Sequence, residues 1–282
     1  MSEQHSAGED GRPRCPRHPD VVTYISCQRC GRPTCPACQV QAAVGVHCID
    51  CARAARSRRR LPRTRAGAPL TSSLGTLAVT KTIVGICVVM QLALMIVPAV
   101  SAQLMFVPAL GVIQPWRFLS AAFVHGSLLH LGLNMLALWI VGQGLEPVLG
   151  RWRFTALFLL SALGGSVMVL WLASPTSVSW ITGTVGASGA LFGMFGAVFV
   201  LNKKANADMR AITILIVVNL AYGFLVANVA WQAHLGGLIV GALAVWGFIV
   251  SAQRRWKAGA ASWTALLTVL LIAAAIAKYV LI

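Results

Sequence analysis

From residue 78 onward the chain is a succession of long apolar runs with almost no charge inside them. Runs of about 20 apolar residues are long enough to cross a bilayer as helices. In hydrocarbon every backbone N–H and C=O must be bonded within its own segment, so helices are the default spanning element. The short alternation of outer-membrane strands is absent. The chain is 57% apolar and 11% charged, whereas a soluble protein is about one quarter charged. Seven runs stand out, at 78–99, 126–145, 153–173, 185–202, 209–228, 231–250 and 261–281. The expected fold class is therefore an all-α polytopic membrane protein with seven spans.

A formal net charge of +16 over 282 residues invites a nucleic-acid reading, but its distribution opposes that. Twelve of the 23 basic residues precede residue 70, and the others sit mostly at the ends of the apolar runs. With the N-terminus inside, the inner ends carry Lys81, Arg151, Arg153, Lys203, Lys204, Arg210, Arg254, Arg255 and Lys257. The outer ends carry only Arg117 and Lys278. That bias follows the positive-inside rule. The first 70 residues hold no apolar signal-peptide core, so the N-terminus is expected in the cytosol and the protein in the cell (plasma) membrane. The connection at 100–125, with Pro108, Pro115, Trp116 and Arg117, suits the membrane interface.

Polar residues inside spans are costly and mark function by default. Four stand out: His130 and Asn134 in the second span, Ser188 in the fourth and His234 in the sixth. His130 and Asn134 are four residues apart and share one helix face. The second, fourth and sixth spans all run from outside to inside. His130, Ser188 and His234 each lie near the outer end, at a depth of roughly 4–8 Å given the helical rise. Gly189 and Gly193 form one small-residue face and Gly237 and Gly241 another; such faces let membrane helices meet backbone to backbone. If those spans pack together, Ser188 reaches His234.

A serine hydroxyl becomes a nucleophile when a base takes its proton, and His234 would be that base. A tetrahedral intermediate needs donors aimed at its oxyanion; the Ser188 N–H, the Asn134 amide and the His130 ring can supply them. After residue 76 the only side-chain carboxylates are Glu146 and Asp208, both at cytosolic ends. Any serine mechanism here is then a Ser–His dyad without an acidic third member. Taken singly, a serine in a glycine-rich span is most simply a packing residue, and an intramembrane histidine a bonded structural one. His125 alone reads as structural or interfacial. The shared depth of the set favours chemistry.

The pieces Trp116-Arg117, His125-x4-His130-x3-Asn134, Glu146-x3-Gly150-Arg151-x-Arg153-Phe154, Gly186-Ala187-Ser188-Gly189 and Ala233-His234-Leu235-Gly236-Gly237 occur in this order. Together they resemble the rhomboid family of intramembrane serine proteases. The resemblance implies a six-helix core, here with one extra C-terminal helix at 261–281. It implies Ser188 as nucleophile, His234 as general base, and His130 and Asn134 as oxyanion-stabilising side chains. It also implies an endopeptidase acting in or near the transmembrane segments of single-span membrane proteins, with no cofactor for catalysis. Arg117 and Glu146 match structural positions. The alternatives are a catalytically silent rhomboid-like binder or chaperone, and a proton-coupled transporter, which would lack the usual intramembrane carboxylates.

Residues 15–51 hold seven of the eight cysteines. Their spacing is Cys15-x2-His18, Cys27-x2-Cys30, Cys35-x2-Cys38 and Cys48-x2-Cys51. Four two-ligand knuckles give eight ligands, enough for two structural tetrahedral Zn²⁺ sites. In a reducing cytosol, metal binding is favoured over disulfides, and a module this small needs metal to fold. His47 is a possible substitute for Cys48, but the Cys-x2-Cys spacing favours Cys48. The head resembles B-box-type cross-brace modules, which implies pairing of knuckles one with three and two with four; sequential pairing stays open. Cys87 reads as a buried apolar residue. The resulting map is a disordered tail at 1–14, a small cytosolic zinc-binding module at 15–52, a basic linker at 53–76 and the transmembrane domain at 77–282. The linker arginines suit anionic inner-leaflet lipid. The module suits a cytosolic protein partner, and no nucleic-acid partner is expected, since Tyr24 is its only aromatic residue.

Overall fold

The computed structural model describes residues 11–58, 63–69, 77–226 and 229–282, without the side chains of 56–58. The tail expected at 1–14 lies mostly outside the described residues. The chain divides into two compact units, Met1–Leu61 and Pro62–Ile282.

The first unit is two small hairpins and a helix. Strand β1 (Arg14–Cys15) pairs antiparallel with β2 (His18–Val22), and β3 (Gln39–Gln41) with β4 (Val46–Cys48). Helix α1 (Ile49–Arg58) follows. Gly31 and Gly45 take positive φ in the knuckle and hairpin turns, where a side chain would be strained. The buried cluster consists of Cys15, Cys35 and Cys38 against Ile49, so thiols occupy the place of an apolar core. Residues 53–58, expected as linker, belong to α1. An interior carbonyl ladder and alanines at 52, 54 and 55 favour that helix over an extended tether.

The second unit contains α2 (Ala78–Ile96), α3 (Ala99–Leu104), α4 (Arg117–Ser120), α5 (Leu128–Leu149), α6 (Arg151–Leu172), α7 (Ser188–Ala205), α8 (Arg210–Leu225), α9 (Trp231–Gln253) and α10 (Gly259–Val280). Five of these, α2, α5, α6, α9 and α10, are long and apolar enough to cross a membrane. Helices α7 and α8 are shorter, at 18 and 16 residues. Helix α7 is buried without interruption from Gly189 to Ala197. A helix enclosed on all sides sits at the centre of its bundle.

Glycines make that enclosure possible. A methyl group on Gly237 would overlap the Gly189 carbonyl, and one on Gly241 would overlap the backbone of Gly193. The contacts advance together along both chains, so α7 and α9 run parallel. On the other side of α9, a methyl on Gly236 would overlap the Gly164 carbonyl of α6. Helix α10 packs outside α6 and α9. Its Trp263 donates to the Leu243 carbonyl at 2.9 Å and lies over Gly247.

Two buried charges tie down the ends. Glu146 accepts from the backbone N–H groups of Val79 and Thr80, at 2.9 Å each, and from the Thr80 hydroxyl at 2.7 Å. A carboxylate at the N-terminus of α2 satisfies orphan donors and opposes the helix dipole. Arg117 is 2% exposed and donates to the carbonyls of Ala102 and Met105 and to the Gln114 side chain. It is thus a buried brace of the 100–125 connection, whereas the charge count had treated it as an outer-end charge.

The part of the expected basic linker at 63–69 forms a tight turn built into this unit; 59–62 and 70–76 lie outside the described residues. Ala66 and Ala68 are fully buried. The Thr64 hydroxyl donates to Val148 at the end of α5, and Arg65 to the Lys204 carbonyl on α7. Gly67 lies against Ala252 of α9 and Arg153 of α6. This clasp spans the ends of four helices.

Candidate active site

Helix α7 begins at Ser188, so the serine sits where the first backbone N–H groups have no intrahelical acceptor. The chain reaching it is extended. Phe106 and Thr184 exchange backbone hydrogen bonds at 3.0 and 2.8 Å, and the Gly186 N–H donates to Ala121 at 2.9 Å. Non-helical backbone inside a membrane protein needs such partners. The fourth apolar run therefore opens with a bonded loop at 185–187, and the helix starts three residues later than its apolar pattern.

The Ser188 Oγ lies 3.0 Å from His234 Nε2. The parallel glycine contact between α7 and α9 sets that distance. The His234 ring is stacked on Phe192, with centroids 4.2 Å apart and planes 7° apart. Its Nδ1 is buried with no hydrogen-bond partner among the described residues. Both carboxylates of the membrane unit are engaged elsewhere: Glu146 caps α2, and Asp208 accepts from the Arg210 N–H at 2.8 Å. The ring is held by stacking, where a triad would use an acid. Phe192 was missed in the sequence, although it stands four residues after Ser188 and so on the same helix face.

Across the site, His130 Nδ1 accepts from the Gly126 N–H at 3.4 Å. An imidazole that accepts at Nδ1 carries its proton at Nε2 when neutral. That Nε2 faces Gly186. A Cβ at 186 would lie 2.9 Å from His130 Nε2 and 2.7 Å from Cε1, and the φ of Gly186 is +122°. Both the space and the backbone conformation demand glycine there. Asn134 donates from Nδ2 to the His130 carbonyl at 2.8 Å, leaving a second amide hydrogen. His125 is 4% exposed, packs edge-on against His130 and accepts from the Ala187 N–H at 3.5 Å. It braces the loop before Ser188 from inside the fold, so of the two readings of His125 the structural one applies.

These groups face one cavity of about 800 Å³. Its wall includes His130, Asn134, Gly186, Ser188 and His234, together with Asn219 and Tyr222 of α8 and Gln232 of α9. The last three were not singled out in the sequence; no spacing distinguishes them from lipid-facing polar residues.

In the first unit the four knuckles meet as Cys15, His18, Cys35 and Cys38, and as Cys27, Cys30, Cys48 and Cys51. Within each group the four ligand atoms lie within 4.8 Å of one another. The cross-brace pairing is the one adopted. Tetrahedral Zn–S bonds of about 2.3 Å place sulfurs about 3.8 Å apart, and Cys30 Sγ to Cys48 Sγ is 3.8 Å. His18 Nδ1 lies 3.2 and 3.3 Å from the sulfurs of Cys35 and Cys38. The donor sets fit a metal ion. Burial raises the Cys15 and Cys27 thiols, but backbone N–H groups around them, including those of Cys35 and Cys48, outweigh it and bring each to about 6. Thiolates held by backbone donors are ready ligands.

Residues 113–252 match the family model of the Rhomboid domain. The chain is 36% identical over 166 residues to Rhomboid protease GluP of Bacillus subtilis, covering 57% of this chain and 30% of that protein. It is 31% identical over 140 residues to Rhomboid protease GlpG of Pectobacterium atrosepticum, covering 46% and 48%. It is 34% identical over 142 residues to Rhomboid protein 1, mitochondrial, of Saccharomyces cerevisiae, covering 45% and 40%. The match thus spans between 30% and 48% of these relatives' own length. Every residue that lines the cavity falls between 113 and 252, the stretch of this multi-span membrane protein that matches the Rhomboid domain model.

Proposed function

We propose that the membrane unit is an intramembrane serine endopeptidase that hydrolyses peptide bonds in or near the transmembrane segments of single-span membrane proteins. The observation that carries this reading is the 3.0 Å contact between Ser188 Oγ and His234 Nε2 at the wall of the cavity. In the first step Ser188 Oγ attacks the scissile carbonyl while His234 Nε2 takes the hydroxyl proton. The resulting oxyanion is met by the Ser188 N–H, by His130 Nε2–H and by the spare Asn134 amide hydrogen. His234 returns the proton to the leaving amine. Water then enters and gives a proton to His234 as its oxygen attacks the acyl-serine ester, and His234 returns that proton to Ser188 Oγ as the acyl–oxygen bond breaks. Phe192 keeps the ring in plane through each proton transfer. Two relatives whose names describe rhomboid proteases support the same chemistry.

The charge bias of the span ends supports an N-terminus in the cytosol, a plasma-membrane location and a site facing the outer leaflet. The head would hold two structural Zn²⁺ ions, one in each ligand group. Bound there, zinc would supply the folding energy that a thiol-filled core lacks. The charge of the arginines at 53–60 suits anionic lipid, while Arg63 and Arg65 bond within the clasp.

The test is cleavage of a single-span substrate in proteoliposomes, with Ser188→Ala and His234→Ala beside the unsubstituted chain. Each variant should lose activity while keeping its thermal transition. Cleavage retained by either variant, or no labelling of Ser188 by a fluorophosphonate probe, would favour a silent membrane-protein binder.

A further inference from the structure

The described residues of the head expose four large apolar side chains: Val21, Tyr24, Ile25 and Val44, at 40, 77, 51 and 81%. Isolated exposed apolar residues are ordinary, but these lie at the end of β2 (Val21) and on neighbouring loops (Tyr24, Ile25 and Val44). The Gln28 N–H donates to Val46 at 2.9 Å, and the Gln28 side chain packs on Gly45. The 24–28 segment therefore runs beside the turn that carries Val44. Basic residues flank both tips. The Thr23 N–H bonds to Pro13, next to the exposed Arg12, and the exposed Arg29 follows Gln28.

Charge adds a direction. Residues 11–58 contain eight arginines and two carboxylates. One carboxylate, Asp50, is tied to Arg17 at 2.6 Å. The arginine run at 56–60 extends the basic stretch. Arg58 is also only five residues from Arg63, where the clasp on the membrane unit begins. A stretch of that length reaches at most about 18 Å when fully extended. The bilayer surface is thus present at high effective concentration whatever else is in the cytosol.

We propose that the head docks on the anionic surface of the bilayer, with Tyr24, Ile25 and Val44 entering the interface and the flanking arginines on phospholipid phosphates. Apolar tips ringed by arginine are the composition that lies at such an interface. Basic residues beside a membrane are drawn to anionic lipid within a Debye length.

The experiment uses the full Ser188→Ala chain, loaded with zinc, in nanodiscs of phosphatidylcholine with or without about a third phosphatidylglycerol. The photocrosslinker p-benzoylphenylalanine replaces Tyr24 or Val44, or the exposed Ala37 as a control. Phospholipid adducts should form at 24 and 44, rise at least about fivefold with anionic lipid, fall with salt, and be weak at 37. Arg12→Gln with Arg29→Gln should lower the yield at 44. Equal adducts at all three sites, or no dependence on anionic lipid, would overturn the proposal. So would crosslinking in native membranes to a protein in place of lipid. Hydrogen exchange of residues 20–28 and 42–46 in the chain without crosslinker should slow in anionic discs, which tests the same surface without a bulky probe.

Discussion

Gly186→Ala probes the oxyanion side of the site, where the new Cβ crowds His130 and meets Ser188 Oγ only at an ordinary 3.7 Å contact. The new Cβ would stand 2.7 Å from His130 Cε1 and 2.9 Å from Nε2. Ordinary contacts between such atoms begin near 3.5 Å, so the ring must retreat by about 0.6 to 0.8 Å. The loop cannot yield instead, because the 186 N–H is bonded to Ala121 and the φ of +122° is already one that an alanine resists. The backbone strain costs about 1–3 kcal/mol of stability. Loss of one oxyanion donor costs about 2.7–4 kcal/mol of transition-state stabilisation, or a fall in kcat of about 10²- to 10³-fold. KM should change little, since the donor acts on charge that develops after binding. The assay is steady-state cleavage of a single-span substrate in proteoliposomes, with the thermal transition measured alongside. The discriminating result comes from the double-mutant cycle. In a His130→Ala background the added methyl should cost far less than it does alone. A full and additive loss in both backgrounds would refute the claim that Gly186 acts through the His130 ring.

Four further outcomes follow from the geometry. Phe192→Leu removes the stacked face beneath His234, worth about 0.5–1.5 kcal/mol; kcat should fall about 2- to 12-fold, and an unchanged kcat would show that stacking does not orient the ring. Gly237→Val drives a side chain into the Gly189 carbonyl, so α7 and α9 should separate, with both the thermal transition and fluorophosphonate labelling of Ser188 lost; labelling at the normal rate would contradict the backbone contact. Glu146→Ala leaves the N–H groups of Val79 and Thr80 without their acceptor, at a cost of about 1–3 kcal/mol, read as a lowered unfolding temperature with cleavage preserved in the cold. Cys30→Ser and Cys35→Ser should each lower bound zinc by one equivalent under native mass spectrometry, because their ligand groups are separate; loss of both ions from either variant at once would show that the two sites fold as one.

Much of the site could be read from the sequence because membrane burial leaves few polar residues, and those few are informative. Ser188, His234, His130 and Asn134 stood out against apolar surroundings, and the glycine pairs at 189/193 and 237/241 pointed to the contact that joins them. The start of α7 was not legible in the same way. Hydropathy does not distinguish residues 185–187 in a loop from residues in a helix when both are apolar, and the loop's hydrogen bonds go to distant partners, Phe106 and Ala121. Arg117 was legible only in part: the family resemblance gave it a structural position, but a charge at the end of an apolar run does not reveal the carbonyls of Ala102 and Met105 around it. In the head, ligand spacing gave the donors directly, but not the apolar tips, since Tyr24 and Val44 lie in loops with no period.

The clasp at 63–69 changes how a shortened chain should be interpreted. Removing the cysteine-rich head by starting the protein at the first long hydrophobic segment would also delete Ala66 and Ala68, two fully buried side chains of the membrane unit. The Val148 and Lys204 carbonyls would lose donors in the same cut. A fall in activity after such a truncation would therefore say nothing about zinc. A chain that begins at Pro62 removes the head and leaves the four helix ends fastened, and only that comparison isolates what the head contributes.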